Sequence, residues 1–323
     1  FLGSGKTTLS RHLLADPALA DTAVVINEFG EVGLDHLLVE SVREDMVLLA
    51  SGCLCCTVRG DLIDSLRRLF RKRWSGEIPA FRRVVIETTG LADPAPVIHT
   101  LMQDPLVSDR FRLDGIVATV DAVNGARQLD EHAESVKQAA VADRLVLTKC
   151  DLADGAAVAA LEARLRALNP AAPILRAEQG RIEPAALLDA GLYNPATKSL
   201  DVQRWLNDEA YRPAGHAHDH GHAAQDPHDR NRHDDRIRAF AIRHDKPLDW
   251  ARFVDWIEAL IAGCGPNLLR LKGVLEIDGA DGPVAVHGVQ HLFHPPVELP
   301  AWPDGERGSR LVVTARELDP SEL

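Results

Sequence analysis

The fold of the first half of this chain is decided by the stretch FLGSGKTT, residues 1–8. It matches the later part of a phosphate-binding loop, in which glycines let backbone N–H groups turn toward phosphate oxygens and a helix begins at once. In such a loop Lys6 reaches the β- and γ-phosphates and the hydroxyl of Thr7 binds Mg²⁺. The alternative is an ordinary glycine-rich turn. Because loops of this kind follow a buried strand, we expect that strand and the first glycine of the loop to precede Phe1.

Short apolar runs alternate with helical patterns over residues 1–190. Buried strands are predicted at Thr22–Ile26, Met46–Ala50, Val84–Ile86, Gly115–Val120 and Arg144–Leu147. Helices are predicted at Lys6–Ala15, Asp61–Arg73, Ala133–Ala142 and Asp154–Leu168. This alternation predicts a doubly wound α/β domain with a mostly parallel sheet.

The composition changes after residue 190. Residues 216–233 hold six histidines among aspartates and almost no large apolar side chain, so this stretch cannot bury a core. We therefore predict a mobile linker over residues 191–235 and a smaller α+β domain over residues 236–323. Its strands are predicted at Ile237–Ile242, Leu268–Ile277, Val284–His287, Gln290–His294 and Leu311–Ala315, with an amphipathic helix at Leu248–Ile261.

The chain of 323 residues carries a formal net charge of −12 and contains five cysteines. An acidic chain argues against a nucleic-acid partner, because phosphate contacts need clustered Lys and Arg. No apolar run approaches the ~20 residues of a membrane span, which argues against a membrane protein. Five cysteines, three of them within four residues, do not form a disulfide framework, so a reducing cytoplasm fits best.

A second strand end carries residues expected at a nucleotide site. The strand Val84–Ile86 is followed by Glu87, and Gly90 comes three residues later. A carboxylate at this place can hold Mg²⁺ through water, and the Gly90 N–H can meet the γ-phosphate. A strand that ends in an acid is common without function, so this prediction depends on the phosphate loop.

A third strand end resembles the base-recognition motif of GTPases. The strand Arg144–Leu147 is followed by Thr148-Lys149-Cys150-Asp151, which differs from Asn-Lys-x-Asp by its threonine. Asp151 is expected to accept hydrogen bonds from guanine N1–H and N2–H₂, and Lys149 to lie across the base. Because adenine lacks that pair of donors, the motif favours GTP over ATP.

A cysteine cluster lies between the phosphate loop and the Glu87 strand. Cys53, Cys55 and Cys56 fall within four residues, and thiolates this close can bind Zn²⁺, Cu⁺ or Co²⁺. A tetrahedral zinc site needs four ligands, so three cysteines suit a site that releases its metal. The alternatives are cysteines packed as small apolar residues and a catalytic thiol.

Two further groups of metal-ligand candidates are less specific. Glu28 and Glu31 follow the strand Thr22–Ile26, where GTPases carry a nucleotide-ordered switch, and they can contact a metal ion or remain solvated acids. The histidines of residues 216–233 can collect Zn²⁺, Ni²⁺ or Co²⁺ weakly, or do little in a solvated linker.

Together these segments resemble the CobW-type family of P-loop GTPases, which are related to the nickel-enzyme maturation GTPases UreG and HypB. The similarity covers nearly the whole chain. It is carried by FLGSGKTT, NEFGEVGLD, GCLCC, ETTGLADP, TVDAVN, TKCD, the histidine-rich stretch, KGVLEIDG and VAVHGVQHLFHPP. GCLCC, between the phosphate loop and ETTG, is the most specific of these. The resemblance implies a GTPase and metallochaperone that couples GTP hydrolysis to delivery of Zn²⁺ or Co²⁺ to a client metalloprotein.

The resemblance also implies roles for individual residues. The matching positions are Gly3, Ser4, Gly5, Lys6, Thr7 and Thr8 in the phosphate loop, Glu87 in place of the usual aspartate, Thr148, Lys149 and Asp151 at the guanine site, and Cys53, Cys55 and Cys56 in the metal motif. Lys6, Thr7 and Glu87 are the expected catalytic residues, and GTP, Mg²⁺ and Zn²⁺ or Co²⁺ the expected cofactors. Intrinsic hydrolysis is expected to be slow. Homo-oligomer formation is a further expectation.

Two rival interpretations predict different behaviour of the metal. A metal-storage or sensor protein with regulatory nucleotide binding would lose metal uptake when residues 216–233 are deleted, whereas a metallochaperone would keep its tight site. A GTP-dependent enzyme with a structural zinc would hold metal that never exchanges, whichever nucleotide is bound.

Overall fold

The computed structural model describes residues 1–27, 48–51, 58–188, 237–264, 267–289, 292–293, 295–302 and 305–318. These residues divide into two units. The first unit comprises residues 1–128, 144–160 and 174–188, and the second comprises residues 129–143, 161–173 and the chain from residue 189 onward. Two segments of the first 190 residues therefore cluster with the C-terminal strands. The predicted linker, residues 191–235, lies outside the described residues.

The first unit contains two three-stranded parallel sheets. One has the strand order β2-β1-β3 and consists of β1 (Thr22–Asn27), β2 (Leu48–Ser51) and β3 (Arg83–Thr88). The other has the order β4-β5-β6 and consists of β4 (Val117–Asp121), β5 (Arg144–Thr148) and β6 (Ile174–Ala177). All residues of β5 are buried, as expected for a parallel strand with a continuous apolar sequence.

Helices connect these strands and bury one face each. They are α1 (Lys6–Ala15), α2 (Val58–Ser75), α3 (Pro94–Gln103), α4 (Pro105–Arg110) and α5 (Gly125–Glu131). The side chains of Leu62, Leu66 and Leu69 recur at helical spacing on α2 and pack with Ala23 and Val25 of β1. Aspartates cap the next two helices, since Asp93 accepts the N–H of Ala95 and Asp104 accepts the N–H of Val107.

The second unit is built on an antiparallel sheet. Its strands are β7 (Ile237–His244), β8 (Leu268–Leu275), β9 (Val284–Val289), β10 (Leu292–Phe293), β11 (Val297–Glu298) and β12 (Ser309–Arg316). The strand order is β10-β9-β8-β12-β7, and β11 pairs with β9. Helices α6 (Ala133–Val141) and α8 (Trp250–Cys264) belong to this unit, as does the C-terminal part of α7 (Gly155–Leu168).

The two faces of this antiparallel sheet differ in chemistry. On one face, Phe253, Ile257 and Leu260 of α8 pack with Leu271 and other apolar side chains of the strands. Successive side chains of a strand point to opposite faces. Arg270 and Lys272 of β8 therefore point away from that core, and yet they are 6% and 5% exposed.

The sequence predictions of strands and helices are confirmed over the described residues. The fold class is also confirmed, because parallel strands alternate with helices in the first unit and an antiparallel sheet forms the second. The parallel strands form two hydrogen-bonded sheets, and α3, α4, α5, β6 and β11 are additional elements that the sequence did not predict. No helix in the described ranges is both long enough and apolar enough to cross a membrane.

Candidate functional site

The phosphate loop turns through two left-handed glycines before α1. The φ angles are +63° at Gly3 and +78° at Gly5, and α1 starts at Lys6. A Cβ atom at either glycine would meet nothing within 4 Å, so the backbone conformation and not the space requires glycine there. Gly5 immediately precedes the first turn of α1. The N–H groups of that turn have no partner within the helix, so they can donate hydrogen bonds to an anion bound at the loop.

Thr7 and Glu87 meet beside this loop, 80 residues apart in sequence. The hydroxyl of Thr7 donates a hydrogen bond to Oε1 of Glu87 at 2.6 Å. The other carboxylate oxygen of Glu87 is buried and has no hydrogen-bond partner within the described part of the chain. A buried carboxylate oxygen without a partner, next to a hydroxyl, is the donor set that a Mg²⁺ ion prefers. The residues present therefore fit the predicted magnesium site.

Gly90 lies in close contact with the start of the phosphate loop. A Cβ atom at Gly90 would stand 2.4 Å from Cα of Leu2 and 2.7 Å from its backbone nitrogen. Both are backbone atoms, so neither can rotate away. The absence of a side chain at Gly90 therefore allows the segment after β3 to approach the loop.

The predicted base-recognition segment, residues 148–151, begins at the end of β5 and contacts the phosphate loop. The Thr148 hydroxyl donates to the carbonyl oxygen of Ser4 at 2.9 Å, and the Lys149 ammonium donates to the carbonyl oxygen of Gly3 at 2.8 Å. Lys149 has a left-handed backbone, with φ of +57°, before a short turn over Cys150–Leu152. Asp151 within this turn is exposed, so its carboxylate is accessible to a base.

A buried aspartate at the end of β4 holds Lys149. Asp121 Oδ2 accepts a hydrogen bond from the Lys149 ammonium at 2.7 Å and another from the Asn124 side chain at 3.1 Å. Its Oδ1 accepts the backbone N–H groups of Val123 and Asn124. Burial opposes ionisation of Asp121, but these hydrogen bonds outweigh it and lower the pKa of the carboxyl group. Asp121 is therefore an anion held in place beside Lys149, the lysine of the predicted base-recognition motif.

The remaining phosphate-loop residues lie in the same place. Ser4 is fully buried, and its hydroxyl lies 2.6 Å from that of Thr119. The Lys6 ammonium donates to the carbonyl oxygen of Phe1 at 2.9 Å. Thr8 faces Gly180, where an added Cβ atom would meet the Thr8 methyl group at 2.9 Å. The loop therefore brings together the predicted site residues of three segments: its own Gly3 to Thr8, then Glu87 and Gly90, then Thr148 and Lys149.

The predicted metal ligands outside this loop are not among the described residues. They are Cys53, Cys55, Cys56, Glu28, Glu31 and the histidines of residues 216–233. Within the described ranges, no group of three or more His, Cys, Asp or Glu side chains is placed to hold a metal ion. Neither Cys150 nor Cys264 forms a disulfide within the described part of the chain. The cysteine site therefore stays a prediction.

Two residues at the loop were not singled out from the sequence. Asp121 follows a buried strand in the same way as Glu87, so a strand ending in an acid was a usable signal. Gln128 donates from its side-chain amide to the carbonyl oxygen of Leu2 at 2.7 Å. It lies in the unremarkable helical sequence GARQLDE, which carries no signal of this contact.

Two protein families match this chain. Residues 1–176 match "CobW/HypB/UreG, nucleotide-binding domain", and residues 237–323 match "Cobalamin synthesis protein cobW C-terminal domain". The two matches correspond to the phosphate-loop half of the chain and to the antiparallel sheet.

Similar proteins and a solved structure support the same grouping. The chain is 33% identical over 323 residues to the zinc chaperone YjiA of Escherichia coli (strain K12), with 100% of this chain and 94% of that protein covered. It is 29% identical over 343 residues to the zinc chaperone CobW of Sinorhizobium sp, with 97% and 90% covered. The crystal structure of Zn(II)-bound YjiA GTPase from E. coli superposes with a TM-score of 0.73 at 28% identity, covering 100% of this chain and 93% of that one.

Proposed function

Because this chain belongs to the CobW/HypB/UreG family of nucleotide-binding proteins, we propose that it binds and hydrolyses GTP and uses the cycle to deliver a metal ion. The pairing of Thr7 with Glu87 at 2.6 Å, beside the left-handed glycines of the phosphate loop, carries this proposal. A hydroxyl and a carboxylate with one unpaired buried oxygen match the chemistry of a magnesium nucleotide site.

The proposed roles follow from the positions of these side chains. Lys6 leaves its contact with the Phe1 carbonyl oxygen and pairs with the β- and γ-phosphates. Thr7 and Glu87 hold Mg²⁺, which when bound neutralises charge on the phosphate oxygens. We expect slow intrinsic hydrolysis, because the sequence identifies no arginine or glutamine that orients the attacking water; a partner supplies such a group.

Guanine selectivity is assigned to the exposed carboxylate of Asp151. A carboxylate accepts the two guanine donors, and a site built on such hydrogen bonds rejects a base that lacks them. In Asp151→Asn, the amide should favour xanthine, which replaces the guanine amino group with an acceptor. We therefore expect GTP affinity to fall and XTP affinity to rise, measured by competition with a fluorescent nucleotide. Unchanged affinities for both nucleotides would remove Asp151 from the base site.

The metal delivered is proposed to be zinc, with cobalt as the alternative. Relatives with overall similarity are named zinc chaperones, and thiolates favour Zn²⁺ over Mg²⁺ or Ca²⁺. We assign the metal to Cys53, Cys55 and Cys56, with Glu31 as a candidate fourth ligand. GTP and Mg²⁺ would order residues 27–31 and 87–90 and so change the geometry of the cysteine site. Such coupling requires that nucleotide and metal change each other's affinity by the same factor.

A nucleotide-dependent zinc titration of the full chain tests the coupling. Zinc affinity is measured without nucleotide, with GDP and with a non-hydrolysable GTP analogue, using a chromogenic chelator as competitor. We expect the affinity to differ by roughly fivefold or more between nucleotide states, the size of ordinary allosteric coupling. Cys55→Ala should abolish tight binding in every state. Equal affinities in all three states would refute the chaperone cycle while leaving GTP hydrolysis intact.

The cellular setting is proposed from composition. A net charge of −12 and five cysteines outside a disulfide framework suit a cytoplasmic protein whose partner is a client metalloprotein and not a nucleic acid. Homo-oligomer formation in the nucleotide-bound state is a further proposal, measured by sedimentation with and without the GTP analogue.

A further inference from the structure

Four successive carbonyl oxygens of the phosphate loop accept hydrogen bonds from side chains. The donors to Phe1 are Lys6 and Ser4, at 2.9 and 2.7 Å. Gln128 donates to Leu2 at 2.7 Å, Lys149 to Gly3 at 2.8 Å and Thr148 to Ser4 at 2.9 Å. When the carbonyl groups of a loop are held on one side, its N–H groups are free to face a phosphate on the other.

Asp121 controls one of these donors. The Lys149 ammonium spans the Asp121 carboxylate and the Gly3 carbonyl oxygen, at 2.7 and 2.8 Å. The Asp121 side chain is 2% exposed, whereas that of Lys149 is 38% exposed. A long, partly exposed lysine loses rotamer freedom when it is held, and a buried anion with four hydrogen bonds can impose that order.

Gln128 controls a second carbonyl group and has an unusual chemical environment. Gln128 is 6% exposed, and its amide nitrogen donates a hydrogen bond to the Leu2 carbonyl oxygen. Its amide oxygen, Oε1, is buried without a hydrogen-bond partner among the described residues. An unpaired buried acceptor is unfavourable. Packing alone therefore does not favour glutamine at this position. The favourable contribution of its amide group is the hydrogen bond to the Leu2 carbonyl oxygen.

We propose that Asp121 and Gln128 are positioning residues that preorganise the phosphate loop for nucleotide without touching the nucleotide themselves. Asp121 acts through Lys149 on Gly3, and Gln128 acts directly on Leu2. The role as a nucleotide-site device rests on the function proposed above. Preorganisation raises affinity because the loop is ordered before the ligand arrives, so binding does not bear that entropic cost.

The first experiment compares Gln128→Met with Arg127→Met in the full chain. Methionine keeps the length of glutamine but removes both the donor to Leu2 and the unpaired oxygen. We expect GDP affinity to fall about fivefold to tenfold, the worth of one hydrogen bond. The KM for GTP should rise in proportion with kcat unchanged. The thermal midpoint of the nucleotide-free protein should stay within about 2 °C of wild type, because the unpaired acceptor is lost together with the bond. Arg127 is exposed on the same helix, and Arg127→Met should change none of these values.

The second experiment is Asp121→Asn. The backbone N–H groups of Val123 and Asn124 need an acceptor at the Oδ1 position, so they hold the amide oxygen there. The amide nitrogen then faces Lys149 and cannot accept its hydrogen bond, so Lys149 is released. We expect GDP affinity to fall about tenfold or more, the worth of a charge-assisted bond. The preference for GDP over ADP should also narrow, because Lys149 belongs to the base-recognition segment. Gln128→Met should keep the wild-type preference, so the two variants separate the two contacts.

Hydrogen exchange makes the test independent of nucleotide binding. In nucleotide-free protein, the backbone amides of residues 3–8 should exchange faster in both variants than in wild type and Arg127→Met. Wild-type exchange in both variants would overturn the proposal. Wild-type GDP affinity in both variants would also overturn it. If wild type itself binds no GDP, the proposed function fails, and the exchange rates alone then decide whether these residues order the loop.

Discussion

The carboxylate of Asp143 accepts a hydrogen bond from the ammonium group of Lys272 at 2.7 Å, 129 residues away in sequence. The two side chains are 5% and 6% exposed. Arg270 also donates to Asp143 and in addition to the carbonyl oxygen of Ala142 at 2.7 Å. Within the second unit, one buried anion therefore forms ion pairs with two buried cations of β8. These ion pairs link the segment after α6 to that strand.

Removal of this anion should destabilise the second unit strongly. In Asp143→Ala, Arg270 and Lys272 would remain buried without the Asp143 carboxylate, and we expect a loss of roughly 3–5 kcal/mol in the free energy of unfolding. Lys272→Met should cost much less, because Asp143 keeps Arg270 and the methionine stem can pack. Urea unfolding followed by circular dichroism measures both. A loss below about 1 kcal/mol in Asp143→Ala would show that Arg270 and Lys272 do not depend on Asp143 as their counter-charge.

The same aspartate predicts a specific response to acid. Burial opposes ionisation of Asp143, but Lys272, Arg270 and His287 outweigh it and lower its pKa far below the usual value. Because the pKa is lower in the folded than in the unfolded protein, this stabilisation is fully present above about pH 4 and is lost as the pH falls below that. Between pH 6 and pH 3, Asp143→Asn should therefore show a flatter decline in unfolding free energy than wild type. Asp109→Asn, at an exposed position, should keep the wild-type slope.

A methyl group at Gly90 should impair the nucleotide site without unfolding the protein. In Gly90→Ala the new Cβ would stand 2.4 Å from Leu2 Cα, so the loop or the segment after Glu87 must shift. A displacement of this size should lower kcat/KM for GTP by about tenfold or more. Gly155→Ala is the matched control, because a Cβ there meets nothing within 4 Å. Equal activity of both variants in phosphate-release assays would show that the close approach is not needed.

Thr148 stands where the base motif of GTPases has asparagine, and we expect its hydroxyl group to be required for nucleotide affinity. Thr148→Val preserves shape but removes the donor to the Ser4 carbonyl oxygen, so we expect GDP affinity to fall about fivefold. Thr148→Ser keeps the hydroxyl and should stay near wild type. Fluorescent-nucleotide titration distinguishes them, and identical affinities in the two variants would contradict a role for this bond.

The local patterns of the sequence predicted most of the described elements and named the strand-end residues that are proposed to touch the nucleotide. FLGSGKTT predicted the loop and α1, because glycine freedom and a helix start are properties of neighbouring residues. Glu87 and Thr148 were predicted as site residues because each stands at the end of an apolar strand that follows a phosphate loop in the chain. The sequence also predicted the strand β8, although it did not predict that Arg270 and Lys272 would be buried.

The sequence alone determined the phosphate loop, the alternating elements and the strand-end residues Glu87, Thr148 and Lys149. Only the tertiary structure decided what holds them in place. Gln128 reaches Leu2 across 126 residues and Lys272 reaches Asp143 across 129. The physical reason is that burial and hydrogen-bond geometry depend on which distant segments meet, and helix and strand periodicity report only which face a residue occupies.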